Sequence, residues 1–365
     1  MRNRWSALLL ALAPSSILAA EPADHAARDA FTAYRTVKVA DGIYAFMPLR
    51  TGTPMVSGNS VAVIGEGGAL VVDSGHFPSA TRRMIGEIRS LANAPVRYLV
   101  NTHWHGDHIR GNAVYREAFP AVAIVSTSAT ARQFENELSR DEPAIMRKQL
   151  EQSREMLALG KTPSGVPLTD RQRAMFEEAV RELELMQPDI AQAETTPPSL
   201  TFEDRLTVHL GSREVQVLFL GRGNTGGDAV VYVPDAKVLI TGDLVVHPAP
   251  YAFGSFIGEW GPTMRRLIAI EATAIVPGHG PVMHDKSYLS LLAETLESVS
   301  SQVRAAAKEG LSLDEARKKL DVERFRKEFA KGDEQTARAF DGFFLGPGFP
   351  RAYREAKEGP LKDES

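Results

Sequence analysis

The chain has 365 residues, of which 43% are hydrophobic and 24% charged, and its formal net charge is −4. This length allows one large domain or two ordinary ones, with enough residues to bury a sizeable core. The slightly acidic balance lacks the basic footprint of a nucleic-acid-binding protein. The chain contains no cysteine, which excludes disulfides, thiolate metal ligands and a cysteine nucleophile.

The first 20 residues have the pattern of a secretory signal. Arg2 and Arg4 precede an apolar run at 5–13, and two alanines end the segment at position 20. Pro14 interrupts an apolar stretch that is already short for a membrane span. We therefore expect residues 1–20 to be cleaved, the protein to be periplasmic or secreted, and no stable membrane anchor to remain.

Strand patterns dominate the chain from 37 to 126. Two apolar runs, 61–64 and 69–73, flank a glycine-rich turn and predict a hairpin. Residues 81–92 predict a helix capped by Ser79. The runs 96–101 and 122–126 have the length of buried strands.

Residues 129–197 are charged and helix-favouring, and they predict two or three helices inserted between strands. This insertion either lines a substrate pocket or is a solvated appendage, because charged helix faces are usually just solvated. Strand patterns return over 200–243, and a short apolar run at 274–276 precedes a glycine-rich loop. From 286 to 365 the chain is again helical and charged.

Polar residues follow the apolar runs at five places. They are Asp73, the cluster at 103–108, the loop at 221–228, Asp243 and His279. In folds that combine sheets and helices, functional sites gather where strand ends release loops onto one rim. We therefore expect these five places to converge.

The stretch THWHGDH, residues 102–108, is the clearest sign of a metal site. Imidazole and carboxylate are the ligands that zinc and similar ions favour. His103 and His105 are spaced to point at one ion, and Asp107 and His108 at a second ion beside it. A chance match to this pattern is rare in a chain of this size.

The motifs together resemble those of the metallo-β-lactamase-fold hydrolases. They are VVDSG (71–75), THWHGDH (102–108), GRGNTGGD (221–228), ITGD (240–243) and PGHG (277–280). The resemblance covers residues 37–285 and implies an α/β fold, a four-layer αββα sandwich with two metal ions at one rim. The helical insertion at 129–197 then lies inside this domain, and 286–365 form a helical C-terminal extension.

The resemblance also implies a role for each matching residue. The first metal site takes His103 and His105, the second takes Asp107, His108 and His279, and Asp243 bridges the two. Asp73 resembles a carboxylate that orients a ligand histidine through its other ring nitrogen, although a loop aspartate is equally a turn former.

Asn224 departs from the family pattern, which has a histidine at that position of the first site. An amide oxygen is a poorer zinc ligand than imidazole. Asn224 is then either a weak fourth contact or only a hydrogen-bond partner. We therefore expect zinc as the cofactor, tight at the second site and weak or absent at the first.

Three further residues are candidates for the surroundings of the metals. Asp228 either replaces the missing ligand or supports the loop, and the charge of Arg222 would repel a cation or receive an anionic substrate. His247 follows Asp243 closely in the chain and is placed to line a pocket, though a surface histidine is an equal reading.

The function that follows is a zinc-dependent hydrolase acting on a small molecule. Metal-bound hydroxide would cleave an amide, lactam, lactone or (thio)ester bond, with Asp107 and Asp243 orienting it as catalytic residues. No Gly-x-Ser-x-Gly elbow offers another nucleophile. Two alternatives remain open: an iron-dependent oxidoreductase on the same fold, and a non-catalytic metal-binding relative.

Overall fold

A computed structural model describes residues 22–49, 57–92, 94–138 and 142–362. The predicted signal at 1–20 lies outside these residues. Within the described ranges, no helix combines the length and apolar character that a membrane crossing requires.

Seven strands form the first sheet, in the order of the chain. The first four are antiparallel, and the pairs from β4 to β7 are parallel. The predicted hairpin is β3 and β4, and the two predicted buried strands are β5 and β6. Their bounds are β1 Tyr34–Ala40, β2 Ile43–Pro48, β3 Ser60–Gly65, β4 Gly68–Val72, β5 Val96–Val100, β6 Ala123–Thr127 and β7 Leu200–Phe202.

Five strands form the second sheet, in the order β12, β11, β10, β9, β8. All neighbours are antiparallel except β11 and β12, which are parallel. The strands are β8 Arg205–Leu210, β9 Arg213–Phe219, β10 Ala229–Val233, β11 Val238–Ile240 and β12 Ala274–Val276.

Three apolar cores show how the layers stack. Val61 and Val231 belong to the core between the two sheets. Alternate residues on the same strands point the other way, because side chains alternate along a strand. Ala62 packs under the helices that cover the first sheet, and Val230 packs under those that cover the second. Both sheets are therefore buried on both faces, which is the predicted αββα sandwich.

The helices fall into the outer layers and the two predicted additions. The described bounds are α1 Pro22–Phe31, α2 Pro78–Leu91, α3 Gly106–Ile109, α4 Asn112–Ala118, α5 Ser128–Leu138, α6 Glu142–Leu159, α7 Asp170–Ile190, α8 Ile257–Ala269, α9 Ser287–Lys308, α10 Leu313–Lys319, α11 Glu323–Ala330, α12 Glu334–Ala339 and α13 Gly346–Glu358. A short 3₁₀ turn covers Gly242–Leu244, and a π-helical turn covers Phe340–Leu345.

The insertion between β6 and β7 is the helical group α5–α7. Met186 of α7 is buried together with Phe77 and Ala80 at the start of α2, so the insertion packs onto the first helical layer. Ser79 was expected to cap α2, but the helix begins at Pro78 and the Ser79 hydroxyl donates to Asp189 of α7. The serine therefore joins the insertion to the domain.

The C-terminal helices complete the layer that covers the second sheet. Trp260 of α8, Leu292 of α9 and Phe349 of α13 are buried in one core with Val230 and Leu239 of the sheet. The extension is therefore packed against the domain. The exact boundaries at 37–285, 129–197 and 286–365 stay predictions.

Candidate metal centre

The predicted loops meet at one edge of the sandwich. Asp73 follows β4 and the histidine cluster follows β5, and these strands are parallel neighbours, so their carboxyl ends lie side by side. Asp243 follows β11 and His279 follows β12, a second parallel pair. Two adjacent strand ends from each sheet thus supply most of the candidate site.

Among the described residues, two groups of three side chains have the composition and spacing of a metal site. One contains His103, His105 and Asp243, and the other contains Asp107, His108 and His279. Within each group the potential ligand atoms all lie within 4.8 Å of one another. The structure therefore brings together the six residues that the sequence singled out.

The second group brings three ligand-type atoms close together. Oδ2 of Asp107 lies 3.1 Å from Nε2 of His279 and 3.4 Å from Nε2 of His108. The two imidazole Nε2 atoms are 3.3 Å apart. Three ligand-type atoms thus face one point with no apolar group between them.

Asp243 contacts members of both groups through different oxygens. Its Oδ2 lies 3.7 Å from Nε2 of His103. Its Oδ1 lies 3.3 Å from Nε2 of His108 and 3.4 Å from Nε2 of His279. This is the position that a carboxylate shared by two cations would occupy.

Asp73 fixes the orientation of His108 and Thr102. The Nδ1 of His108 donates to Oδ2 of Asp73 at 2.8 Å, so the Nε2 of that ring is the nitrogen that faces the centre. Asp73 also accepts the backbone N–H and the hydroxyl of Thr102, each at 2.8 Å. The aspartate therefore contacts both a histidine of the cluster and the loop at Thr102, so its contacts fit both of the roles considered for it.

The same network sets the tautomer of His103. Because the Thr102 hydroxyl proton is committed to Asp73, the Nδ1–H of His103 donates to that hydroxyl oxygen at 3.0 Å. The Nε2 of His103 is then an unprotonated acceptor, fully buried and without a hydrogen-bond partner among the described residues. A buried polar atom of this kind costs free energy unless a ligand satisfies it.

The pKa values of the charged groups show how strongly the cluster attracts a cation. Burial alone would raise the pKa of Asp107 and Asp243, but His108 and His279 hold both well below the usual range. Burial would lower the pKa of His279, yet Asp243 and Asp107 raise it to about 9, and the same carboxylates raise that of His108. Without a metal, the protons on His108 and His279 supply the positive charge that a bound cation would otherwise provide.

His103 and His105 behave differently. Burial lowers the pKa of both rings, and the neighbouring His108 lowers that of His103 further. Their ring centroids are 4.6 Å apart in an edge-on arrangement. Both imidazoles are therefore neutral near pH 7, which is the protonation state that metal ligation requires.

Two glycines allow the cluster to close. A β-carbon on Gly278 would lie 2.0 Å from Oδ1 of Asp243, and one on Gly58 would lie 2.3 Å from Cε1 of His108.

Asn59, which the sequence analysis missed, donates from its amide to the carbonyls of Pro277 and Gly280, both at 2.9 Å. A single asparagine before a strand gave no sequence signal for this contact.

Asn224 is the residue whose role the sequence left open. It is fully buried, and neither atom of its side-chain amide has a hydrogen-bond partner in the described part of the chain. An amide without partners in the interior costs about 1–3 kcal/mol per orphaned group. This side chain therefore lacks the protein partner that a purely structural asparagine would have.

Asp228 and Arg222 have contacts of their own. Asp228 is outside both metal-type groups and accepts the backbone N–H and hydroxyl of Thr225, the contact expected of a residue that supports the loop. Arg222 pairs with Glu259, donates to the carbonyl of Leu361 at 2.7 Å and lies over the ring of Phe256. These contacts pair its charge with Glu259 of α8 and join the loop to the segment that follows α13.

His247 and Tyr251 lie in the loop after Asp243. The backbone N–H of His247 donates to the carbonyl of His279 at 3.1 Å, but its ring packs on Tyr288 and lines a separate cavity of about 550 Å³. The ring of Tyr251 lies 5.5 Å from that of His279. Burial and the charges of Asp243 and Asp107 raise the pKa of Tyr251 to about 12, so its phenol stays protonated beside the cluster.

Known proteins with similar sequences include hydrolases of two kinds. The chain is 25% identical over 242 residues to a linear primary-alkylsulfatase from Pseudomonas sp., covering 64% of this chain but only 43% of that protein. It is 21% identical over 279 residues to a metallo-beta-lactamase type 2 from Bacteroides fragilis, covering 74% of this chain and 87% of that protein.

Solved structures with the same fold include the metallo-beta-lactamase from Pontibacter korlensis and the DIM-1 metallo-beta-lactamase. Each has a TM-score of 0.50, with 22% and 19% identity respectively. The alignments cover 72% and 73% of this chain and 99% and 97% of those proteins. The predicted sandwich fold is thereby confirmed.

The family itself is shown by a match over most of the chain. The sequence pattern of the Metallo-beta-lactamase superfamily matches residues 53–279, a range that holds both metal-type groups and Asp73. The predicted resemblance is therefore confirmed, and the chain belongs to the metallo-beta-lactamase superfamily.

Proposed function

We propose that this protein is a zinc-dependent hydrolase that cleaves an amide, lactam, lactone or (thio)ester bond of a small molecule. The observation that carries the proposal is Asp243, whose two oxygens face His103 on one side and His108 and His279 on the other. A shared carboxylate between two imidazole groups supports a two-metal centre, which suits hydrolysis of an electrophilic bond.

The ligand types favour zinc. Four imidazoles and two carboxylates, with no thiolate, suit a borderline divalent ion better than magnesium or calcium, which prefer oxygen. The unpartnered Nε2 of His103 and the low pKa values of Asp107 and Asp243 support this choice, because an unprotonated imidazole nitrogen and ionised carboxylates are the forms that bind a metal. The residues present therefore fit the ion.

Zinc bound here would supply activated water near neutral pH and an electrophilic contact for the substrate oxygen. The chain's own groups do the rest. Asp107 is the more exposed of the two ligand-type carboxylates and is placed to orient water. Asp73 holds His108 in one tautomer, and the protonated phenol of Tyr251 is available as a hydrogen-bond donor.

We further propose that the two sites bind zinc unequally. The group around His279 supplies two imidazoles and Asp107, with Asp243 within reach. The group around His103 has His105 and Asp243. At the position where the family pattern has a third histidine, this chain has Asn224. The orphaned amide of Asn224 is then a weak oxygen ligand or a hydrogen-bond donor to bound water.

The relatives support hydrolysis but not one substrate. One is a metallo-beta-lactamase and the other an alkylsulfatase, and this chain spans less than half of the latter. A sulfate ester is therefore a second candidate substrate. We also propose that residues 1–20 direct export, which N-terminal sequencing of the mature protein tests.

A substrate panel tests the proposed function. Zinc-loaded protein is assayed with a chromogenic lactam, a lactone, a carboxylic ester, a thioester and a sulfate ester. We expect hydrolysis of at least one, and Asp107→Ala should reduce it by more than about 100-fold, since even a residue that only supports a ligand costs about 10–100-fold. Asp204→Ala, an exposed aspartate outside the site, is the matched control.

Each alternative predicts another result. An iron-dependent oxidoreductase would lose no function on zinc removal and would show oxygen or thiol turnover with iron. A non-catalytic relative would bind zinc and hydrolyse nothing in the panel. Either result would overturn the proposed function.

A further inference from the structure

Two phenylalanines break the usual rule that aromatic rings are buried. Phe253 is 47% exposed and Phe343 is 37% exposed, and they are the only aromatic residues among the large exposed apolar side chains of the described ranges. Single exposed apolar side chains need no explanation. These two, however, are in contact, with ring centroids 5.9 Å apart.

Tyr251 connects this pair to the metal cluster. Its ring lies 5.4 Å from that of Phe343 in an edge-on contact and 6.2 Å from that of Phe253. On its other side it lies 5.5 Å from the ring of His279. An aromatic surface thus runs from a candidate metal ligand outward to solvent. We call these three residues, Tyr251, Phe253 and Phe343, the aromatic platform.

The platform is held in place from both sides. The backbone N–H of Ala252 donates to the carbonyl of Phe343 at 2.9 Å, which joins the loop after Asp243 to the C-terminal extension. Phe340 and Phe344 are buried in the core on either side of Phe343 and anchor its π-helical turn. The exposed rings therefore project from a backbone that is fixed by hydrogen bonding and packing. π-Helical turns also occur often at functional sites.

The size and place of the platform favour a small apolar group over a protein partner. A stable protein interface buries about 800 Å² on each side, far more than two half-exposed rings offer. Aromatic faces suit alkyl and aryl groups. Phe343 also lies beyond residues 53–279, so this surface combines the superfamily domain with the chain's own extension.

We propose that the aromatic platform is a substrate subsite for an apolar acyl or aryl group attached to the bond that the metal centre cleaves. This inference rests on the proposed function, because it places the reacting group at the cluster and its apolar substituent on Phe253 and Phe343. Tyr251 lies between the two regions and separates the polar from the apolar part of the ligand.

Binding of straight-chain hydroxamic acids tests the subsite without any need for turnover. The hydroxamate group binds zinc, and the series from acetohydroxamate to octanohydroxamate lengthens only the tail. By calorimetry on the zinc-loaded protein, we expect affinity to rise about twofold per added methylene. A fully buried methylene would give about fourfold, and these half-exposed rings cover less of it.

Variants assign the effect to the rings. Phe343→Ala and, independently, Phe253→Ala should each flatten the dependence on tail length and leave acetohydroxamate affinity unchanged. Phe343→Leu, which keeps an apolar side chain, should retain most of the dependence of affinity on tail length. Leu159→Ala, at an exposed leucine in the insertion, is the control and should behave as wild type.

The outcomes separate the two proposals. Tight acetohydroxamate binding with no dependence on tail length would overturn the subsite and leave the hydrolase proposal standing. Failure of every hydroxamate to bind would overturn both, since the subsite requires a metal centre beside the platform that a ligand can reach. If Phe343→Ala instead converts a dimer to a monomer with hydroxamate affinities unchanged, the platform is a contact between copies, and the subsite is wrong.

Discussion

The Oδ2 atom of Asp73 lies 2.8 Å from Nδ1 of His108, and this hydrogen bond turns the other ring nitrogen of the histidine toward the metal cluster. The geometry is demanding, because Asp73 has a left-handed backbone conformation with φ of 57°. Non-glycine residues adopt this conformation rarely, and its conformational strain persists only where contacts with the surrounding structure fix the backbone.

Asp73→Asn tests what that contact contributes. The amide is nearly the same size but has no negative charge and only one acceptor atom. Its NH₂ group would therefore face either the backbone N–H of Thr102 or the donors of His108 and the Thr102 hydroxyl, which both point at Oδ2 of the carboxylate. We expect zinc to bind about 10–100-fold more weakly, as measured by competition with a chromophoric chelator. An unchanged zinc affinity in a folded Asp73→Asn protein would contradict the role assigned to Asp73.

Gly278→Ala tests how closely the loops must approach. The added β-carbon would lie 2.0 Å from Oδ1 of Asp243, so either the carboxylate or the loop has to move. We expect zinc affinity to fall by more than about 10-fold, because Asp243 faces both metal-type groups. Calorimetric zinc titration measures the loss.

Gly86→Ala is the matched control for that substitution. Nothing lies within 4 Å of a β-carbon built on Gly86, which is inside helix α2. Alanine is favoured over glycine in a helix by about 0.5–1 kcal/mol, so this variant should be as stable as wild type or slightly more stable, with unchanged zinc binding. Equal zinc affinities for the two variants would show that the approach at Gly278 does not matter.

The pKa of His279 predicts how pH acts on the metal-free protein. Asp243 and Asp107 raise it from 6.5 to about 9 against the opposing effect of burial. A raised pKa means that the proton stabilises the folded state fully below pH 6.5, and that this stabilisation is lost as pH rises through about 9. Thermal unfolding in chelator should therefore show a falling midpoint between pH 6.5 and 9.5.

Zinc should reverse that trend, because the metal competes with the proton for the same nitrogen. Added zinc is expected to stabilise the protein more at pH 9 than at pH 6.5. His279→Gln removes the titrating group and should lessen the fall of the metal-free midpoint. A midpoint in wild type that is independent of pH over this window would show that His279 does not hold the proton.

Asn224→His tests the proposed inequality of the sites. Wild type is expected to bind one zinc ion tightly and a second at least about 10-fold more weakly, since imidazole is the better zinc ligand. The variant should bind two with similar affinity. Asn224→Ala tests whether the amide takes part in metal binding. Loss of the second zinc ion in this variant would show that the amide contributes to its affinity. Two equally tight zinc ions in wild type would contradict the proposal.

Local sequence was sufficient to single out the ligand-type residues, whereas the sandwich was expected from the resemblance of the motifs to a known family. His103, His105, Asp107 and His108 lie within six positions, and the strand runs before Asp243 and His279 show where those residues emerge. Because strand ends gather on one rim, the convergence follows from chain order alone. The packing of Val61 and Ala62 into different cores is likewise a direct consequence of strand geometry.

Contacts between distant segments could not be predicted in this way. Ser79 looks like a helix cap locally, but Asp189, 110 residues later, receives its hydroxyl. Arg222 looks available to a substrate until Glu259 and the C-terminal segment are placed around it. The platform formed by Phe253 and Phe343 depends on how the extension returns to the domain, which no local pattern encodes.

Metal-dependent hydrolysis is the central claim, and a zinc titration of the metal-free protein tests it most directly. The protein is stripped with a chelator, dialysed, and assayed against the best substrate of the panel as zinc is returned. The structure predicts no hydrolysis without metal, recovery as zinc is added, and no recovery in Asp107→Ala. Hydrolysis that survives complete metal removal, or none at any zinc content with any of the panel substrates, would contradict it.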